Sequence, residues 1–305
     1  MSKNTPKVIV ILGPTASGKS ALAVKLAKRF NGEIISADSR QVYQGLDIGT
    51  GKITKREMKG VPHHMIDVAD PKRVYTVAQY QIMASKKIEE ILKRGKLPII
   101  CGGTGFYIDA LVGGLKIPEV KPNIELRKRL FKMTADELFE ILKEKDPVRA
   151  KTIDRKNKVR LVRALEIAEA LGTVPELKPK ESKFEVLKIG IIKERLELKK
   201  LISNRLAIRL RAGMVKEVES LRKYGLSWKR LHDLGLEYRY VSEFLQKKIT
   251  EKEMVEALNN KINQYAKRQM TWFRRDKSIH WIKKEKDAMK LVNEFYLFSH
   301  QPLSR

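Results

Sequence analysis

The chain has 305 residues, enough for one large domain or two smaller ones around a sizeable buried core. Its 64 basic side chains face only 36 acidic ones, a net charge of +28 with a pI near 10.0, which exceeds what solubility needs and points to a polyanionic partner, nucleic acid first. No stretch approaches the roughly 18 apolar residues of a membrane span, no charged-then-apolar signal region opens the chain, and the single cysteine, Cys101, excludes an internal disulfide and a cysteine-built zinc site, so a cytoplasmic location is expected.

In chain order, the apolar segment Lys7–Leu12 reads as a buried strand. It runs into Gly13-Pro14-Thr15-Ala16-Ser17-Gly18-Lys19-Ser20, a phosphate-binding loop. Its glycines let the backbone curl so that N–H groups point at phosphate oxygens, Lys19 adds a point charge, and the Ser20 hydroxyl is placed to ligate Mg²⁺. A helix follows from about Lys19 to Phe30, with Leu22, Leu26 and Phe30 on one face and Asn31-Gly32 ending it. A second strand, Glu33–Ala37, leaves Asp38 just past its carboxyl end, the edge at which open α/β sheets bind ligands. Asp38 is either an N-cap for Ser39-Arg40-Gln41 or a general base or metal-organising acid beside bound phosphates. His63 and His64, followed by Asp67, do not read as a metal site, because neighbours in a regular element point apart; bonds to backbone are expected for them.

The strand at Leu97–Cys101 places Cys101 as a small buried residue and runs into Gly102-Gly103-Thr104-Gly105, where many nucleotide hydrolases have a magnesium-binding aspartate. A guanine-reading Asn-Lys-x-Asp segment is also missing. From residue 116 to 183 the strand pattern stops and the chain becomes helical and densely charged. A capping box, Thr134 to Glu137, opens one helix that carries Leu138, Ile141 and Leu142 and stops at Asp146-Pro147. A second runs from roughly Asn157 to Leu171, closed by Gly172. The strand Val186–Ile192 returns to the core, and the rest is mostly helical, with Ile279–Ile282 as an edge strand. The fold class is therefore α/β: a P-loop, doubly wound, mainly parallel sheet formed by residues 1–115 and 184–305, with an inserted helical subdomain at 116–183.

In the last long helix, Ile262, Ala266, Met270 and Phe273 form an apolar stripe that reads as core, while Lys261, Lys267, Arg268, Arg274 and Arg275 occupy the other faces. Gln269 has an amide suited to base edges, and Trp272 an indole that either stacks on a base or packs in the core.

Seven segments together resemble one family, the tRNA dimethylallyltransferases (tRNA isopentenyltransferases). They are the loop at 13–20, Ser36–Tyr43, Asp47–Thr50 with Lys52, His63–Asp67, Gly102–Tyr107, Arg163–Glu166 and Ala266–Arg274, in order along nearly the whole chain. The resemblance implies transfer of a dimethylallyl group from dimethylallyl diphosphate to the exocyclic N6 of adenosine 37 in the anticodon stem-loop of tRNA, with Mg²⁺. It also implies that Asp38 is the catalytic base and that Thr15 sits by the substrate and leaving group. Ser39, Gln41 and Tyr43 would border the adenosine, and Lys267, Arg268, Gln269, Trp272 and Arg274 would meet tRNA. The segment Asn204-Arg205-Leu206 resembles the one carrying an arginine on the diphosphate; Arg205 is favoured, with Arg209 one turn later on the same face. Arg160 and Arg163 are weaker phosphate candidates, since Asn157 stands where many relatives have aspartate. A monomer is expected. The competing expectation is a small-molecule or nucleotide kinase with the same loop and sheet; a further one is a non-catalytic RNA-binding NTPase.

Overall fold

A computed structural model of the chain describes residues 5–176 and 182–297. Residues 177–181, within the expected insertion, lie outside the described residues. The first half supplies β1 (Lys7–Leu12), α1 (Lys19–Arg29), β2 (Gly32–Ala37), α2 (Lys55–Met58), β3 (His63–His64), α3 (Val77–Lys93), β4 (Leu97–Gly102) and α4 (Gly105–Val112). Next come α5 (Ile124–Leu130), α6 (Ala135–Lys145), α7 (Pro147–Ala150) and α8 (Lys158–Leu171). The chain closes with β5 (Glu185–Ile191), α9 (Arg195–Arg211), α10 (Met214–Lys223), α11 (Trp228–Leu234), α12 (Leu236–Leu245), α13 (Glu251–Phe273), β6 (Ile279–Ile282) and α14 (Glu285–Leu297).

All six strands pair in parallel, in the order β3-β2-β4-β1-β5-β6. Because β1 and β4 are buried on both faces, their sequences are continuous apolar runs. Alternate residues feed two cores. Val8, Val10, Leu12, Ile35 and Ile100 pack with α3, α4 and α9 to α13, while Ile9, Ile11, Ile34, Ile99 and Ile189 pack with α1 and α14. Cys101 is buried in the second core as a free thiol, and burial pushes its pKa up to about 11.

Element boundaries shift by a residue or so. The first helix ends at Arg29, with Phe30 as its C-cap and Asn31 at φ 48°. The two-residue β3 was not predicted; it is too short to show a pattern, and its histidines have other work. His63 Nδ1 lies 2.8 Å from the Val61 carbonyl, and His64 Nε2 lies 2.7 Å from the Glu33 carboxylate. That carboxylate, buried in β2, also accepts from Arg94 at 2.6 Å and Lys96 at 2.9 Å. Burial alone would raise its pKa, but these bonds outweigh burial and hold it at about 2.

The chain divides into two compact units, Leu115–Lys180 and the remainder. In the smaller, Leu126, Leu130, Leu138, Leu142, Leu161 and Leu165 form a core of their own. The Thr134 capping box and the Asn157 cap start α6 and α8 as their sequences require. Glu166, buried, accepts from Nε and Nη2 of Arg127, each at 2.7 Å, and pairs closely with Arg163. Arg163 also donates to the Val120 carbonyl at 3.0 Å, so the phosphate role expected of it is corrected: its guanidinium is held inside this unit, while Arg160 is solvent-exposed.

Candidate active site

The sheet order brings three carboxyl ends side by side: β1 with the phosphate loop, β4 with Gly102-Gly103, and β2 with Asp38. Gly18, at φ 91°, begins α1 without any side-chain cap, so the first amides of the helix are left for an anion. A cavity of about 530 Å³ opens at this edge. Thr15, Lys19, Ser20, Asp38, Ser39, Gln41 and Arg205 all line it, together with Arg209, which is therefore not separated from Arg205 by position alone.

Their bonds separate them. Arg209 is buried; it donates to Glu237 at 2.9 Å and to the Gly49 carbonyl at 2.6 Å, so its charge is compensated inside the fold. Arg205 reaches the Thr15 hydroxyl at 3.4 Å and the Gly51 carbonyl at 2.9 Å and has no carboxylate partner among the described residues. Burial, then the neighbouring Arg209, lowers its pKa. Lys19 behaves alike: its ammonium donates to the Pro14 carbonyl at 3.2 Å, and burial pulls its pKa down. Two half-buried cations thus face the cavity without an ion pair among the described residues. Such cations are costly unless an anion joins them.

Asp38 combines both of its expected roles in part. Its Oδ1 accepts from the amides of Arg40 at 2.9 Å and Gln41 at 3.3 Å, fixing a turn, though no helix follows. Its Oδ2 has no hydrogen bond among the described residues, and the carboxylate lines the cavity beside Ser20. Ser39 is held through Thr104, whose hydroxyl accepts the Ser39 amide at 3.0 Å, and the Gln41 side-chain NH₂ donates to the Gly51 carbonyl at 3.4 Å.

Three residues expected to meet tRNA are held within the fold, and of these only Gln269 lines the cavity. Tyr43 is 2 % exposed in the main core, and its hydroxyl accepts the Tyr75 amide at 2.9 Å. Gln269 is 5 % exposed; its carbonyl accepts the Thr15 amide at 2.8 Å and its NH₂ donates to the Gly103 carbonyl at 2.9 Å. Its amide therefore ties α13 to the phosphate loop. Trp272 lies half-buried against Gly105, and its indole N–H donates to Asp109 at 2.8 Å. Gly103 and Gly105 permit these approaches, since a Cβ on either would meet Gln269 or Trp272 at 2.2 Å. Lys267, Arg268 and Arg274 are exposed, and of these only Arg268 lines the cavity.

Sequence reasoning missed Arg239, Tyr240 and Tyr265 in the cavity wall, and Gly51, whose carbonyl holds Arg205; Lys261, noted in the sequence, lines the wall beside them. The Asp47–Thr50 segment with Lys52 signalled this loop but not its role.

A family model described as IPP transferase matches residues 41–276, more than half of the chain. A protein named tRNA dimethylallyltransferase 1 from Geotalea uraniireducens is 42 % identical over 296 residues, covering 94 % of this chain and 96 % of that protein. A tRNA dimethylallyltransferase 2 from Treponema denticola is 46 % identical over 286 residues, 90 % and 95 % of the two chains. The crystal structure of tRNA isopentenylpyrophosphate transferase from Bacillus halodurans superposes with a TM-score of 0.72 at 35 % identity, covering 96 % of this chain and 99 % of that one. A eukaryotic dimethylallyltransferase acting on tRNA gives a TM-score of 0.80 at 26 % identity, with 98 % and 81 % covered.

Proposed function

Starting from a chain that belongs to the IPP transferase family, we propose that it transfers a dimethylallyl group from dimethylallyl diphosphate to N6 of adenosine 37 in tRNA, next to the anticodon, releasing diphosphate. The observation that carries this reading is the pair of half-buried, uncompensated cations, Lys19 and Arg205, facing one cavity with the Asp38 carboxylate. A diphosphate supplies the missing counter-charge for both cations.

In the reaction the allylic C1–O bond breaks, its electron pair departs on the diphosphate, and the N6 lone pair forms the new bond to C1. Asp38 takes the N6 proton through its unengaged Oδ2. The loop amides, Lys19 and Arg205 stabilise negative charge that grows as the bond breaks, so they act most strongly in the transition state. Thr15, held by Gln269 at its amide and by Arg205 at its hydroxyl, fixes the lip of the loop at that point. The Ser20 hydroxyl on the same wall would hold Mg²⁺, which would neutralise diphosphate charge when bound.

The tRNA base must leave its stack to reach Asp38. Tyr240 and Tyr265 in the cavity wall offer ring faces for it, and Arg40, Arg239, Lys261 and Arg268 offer charge to the backbone around it. We propose a cytoplasmic monomer; no helix among the described residues is long and apolar enough to cross a membrane. Nucleoside mass spectrometry after incubating unmodified tRNA with the protein, Mg²⁺ and dimethylallyl diphosphate tests the reading. N6-dimethylallyladenosine is expected, and its absence would overturn it.

A further inference from the structure

The stretch from Leu46 to Lys52 has no regular structure, yet its carbonyls hold Arg205 and Arg209 of α9. Its own amides converge on one side chain. Asp47 N and Ile48 N donate to Glu217 Oε2 at 3.0 and 2.6 Å, and Gly49 N donates to Oε1 at 3.0 Å. The Tyr238 hydroxyl adds a fourth donor to Oε1 at 2.9 Å. At the other end of the stretch, Lys52 donates to the Tyr43 carbonyl at 2.9 Å and pairs with Asp47 and Asp67, each at 2.5 Å. The bracket is tight: a Cβ on Gly49 would lie 2.7 Å from the Tyr238 hydroxyl. Glu217 itself does not line the cavity, whereas Gly49, Thr50, Arg205 and Arg209 do.

We propose that Glu217 is a positioning residue of the diphosphate grip: its carboxylate gathers the amides of residues 47–49, so that the carbonyls of Gly49 and Gly51 hold Arg209 and Arg205, and Arg205 is aimed at Thr15 of the phosphate loop. This rests on the diphosphate-donor reading above. Only a carboxylate meets the demand, because four donors share two oxygens and each oxygen takes two. Charge-assisted bonds of this kind are the strong ones. Burial, then the adjoining Glu217 charge, raises the Tyr238 phenol well above its usual pKa, so it stays a donor. Glu217→Gln keeps the shape and turns one acceptor into a donor. Wherever its NH₂ falls, at least one backbone N–H loses its acceptor, the stretch shifts, and Arg205 loses the Gly51 carbonyl.

The test is a double-mutant cycle read in the dissociation constant of inorganic diphosphate, with Mg²⁺, on the full chain by titration calorimetry. Glu217→Gln is expected to weaken binding about tenfold in the wild-type background and less than about twofold in an Arg205→Ala background. Tyr238→Phe removes a single bond; it is expected to weaken binding about threefold in the first background and not in the second. If Glu217→Gln fails to fold, as thermal unfolding would reveal, the Tyr238→Phe cycle alone decides. Equal losses in both backgrounds, or none in the wild type, overturn the proposal. A wild type that binds diphosphate but never prenylates tRNA would sink the proposed function and leave this cycle to be judged by itself. A wild type that prenylates tRNA while the cycle is additive would sink only the role of Glu217.

Discussion

Gly51→Ala strikes the diphosphate grip without replacing a cavity side chain. Gly51 sits at φ 58°, and a Cβ there would lie 2.1 Å from Arg205 Nη2 and 2.9 Å from its Cζ. The left-handed backbone costs an alanine about 1–2 kcal/mol. The guanidinium must also swing aside, giving up the Gly51 carbonyl and the Thr15 hydroxyl. In stability, the backbone cost amounts to a fall in Tm of a few degrees, at about 2–4 °C per kcal/mol for a domain of this order of size. In rate the loss is larger, because Arg205 faces charge that appears only as the C1–O bond breaks. Removing one such donor costs about 2.7–4 kcal/mol, or about 10²–10³ in rate. The assay is single-turnover transfer at saturating tRNA and dimethylallyl diphosphate, with a thermal melt on the same sample. Gly51→Ala should approach the rate of Arg205→Ala, and the double variant should be no slower than Arg205→Ala. A Gly51→Ala rate within about threefold of wild type would refute the role given to Arg205.

Asp38→Asn keeps an oxygen for the Arg40 and Gln41 amides, so the turn survives, and transfer should fall by about 10²–10⁴ with tRNA affinity changed less than about threefold. Equal losses in binding and rate would contradict a base. Replacing Lys267 and Arg268 by glutamine should weaken tRNA binding and flatten the slope of log K against log salt by about 1–2; an unchanged slope removes them from the interface. Glu33 tests the electrostatics of the scaffold. Its folded pKa of about 2 lies below the ordinary 4.5, so the stability it confers, about 3 kcal/mol, is present above pH 4.5 and is lost as pH falls toward 2. Glu33→Gln should lower stability at pH 7 and flatten the acid limb of a denaturation-versus-pH profile, whereas parallel acid limbs would show that the bonds from Arg94, Lys96 and His64 do not stabilise the fold.

The phosphate loop, the long strands and Asp38 were legible in the sequence because each is a local pattern: an apolar run, a fixed glycine spacing, and a carboxylate one step past a strand. The choice between Arg205 and Arg209 was not, since they share a helix face and differ only through Glu237, which arrives 28 residues after Arg209. Tyr43 and Gln269 looked like surface readers for the same reason. Their partners, Tyr75 and the Thr15 and Gly103 backbones, come from distant segments. The glycines after β4 were legible as a motif, but their purpose appears only when α13 is seen lying against them.

The central claim is that the loop from Gly13 to Ser20 grips a leaving group. It is tested most directly by measuring inorganic diphosphate and N6-dimethylallyladenosine in one reaction containing tRNA, Mg²⁺ and dimethylallyl diphosphate, with no nucleoside triphosphate added. The two products should appear in equal molar amounts. Diphosphate without modified adenosine, or product formation only when ATP is added and consumed, would contradict the account.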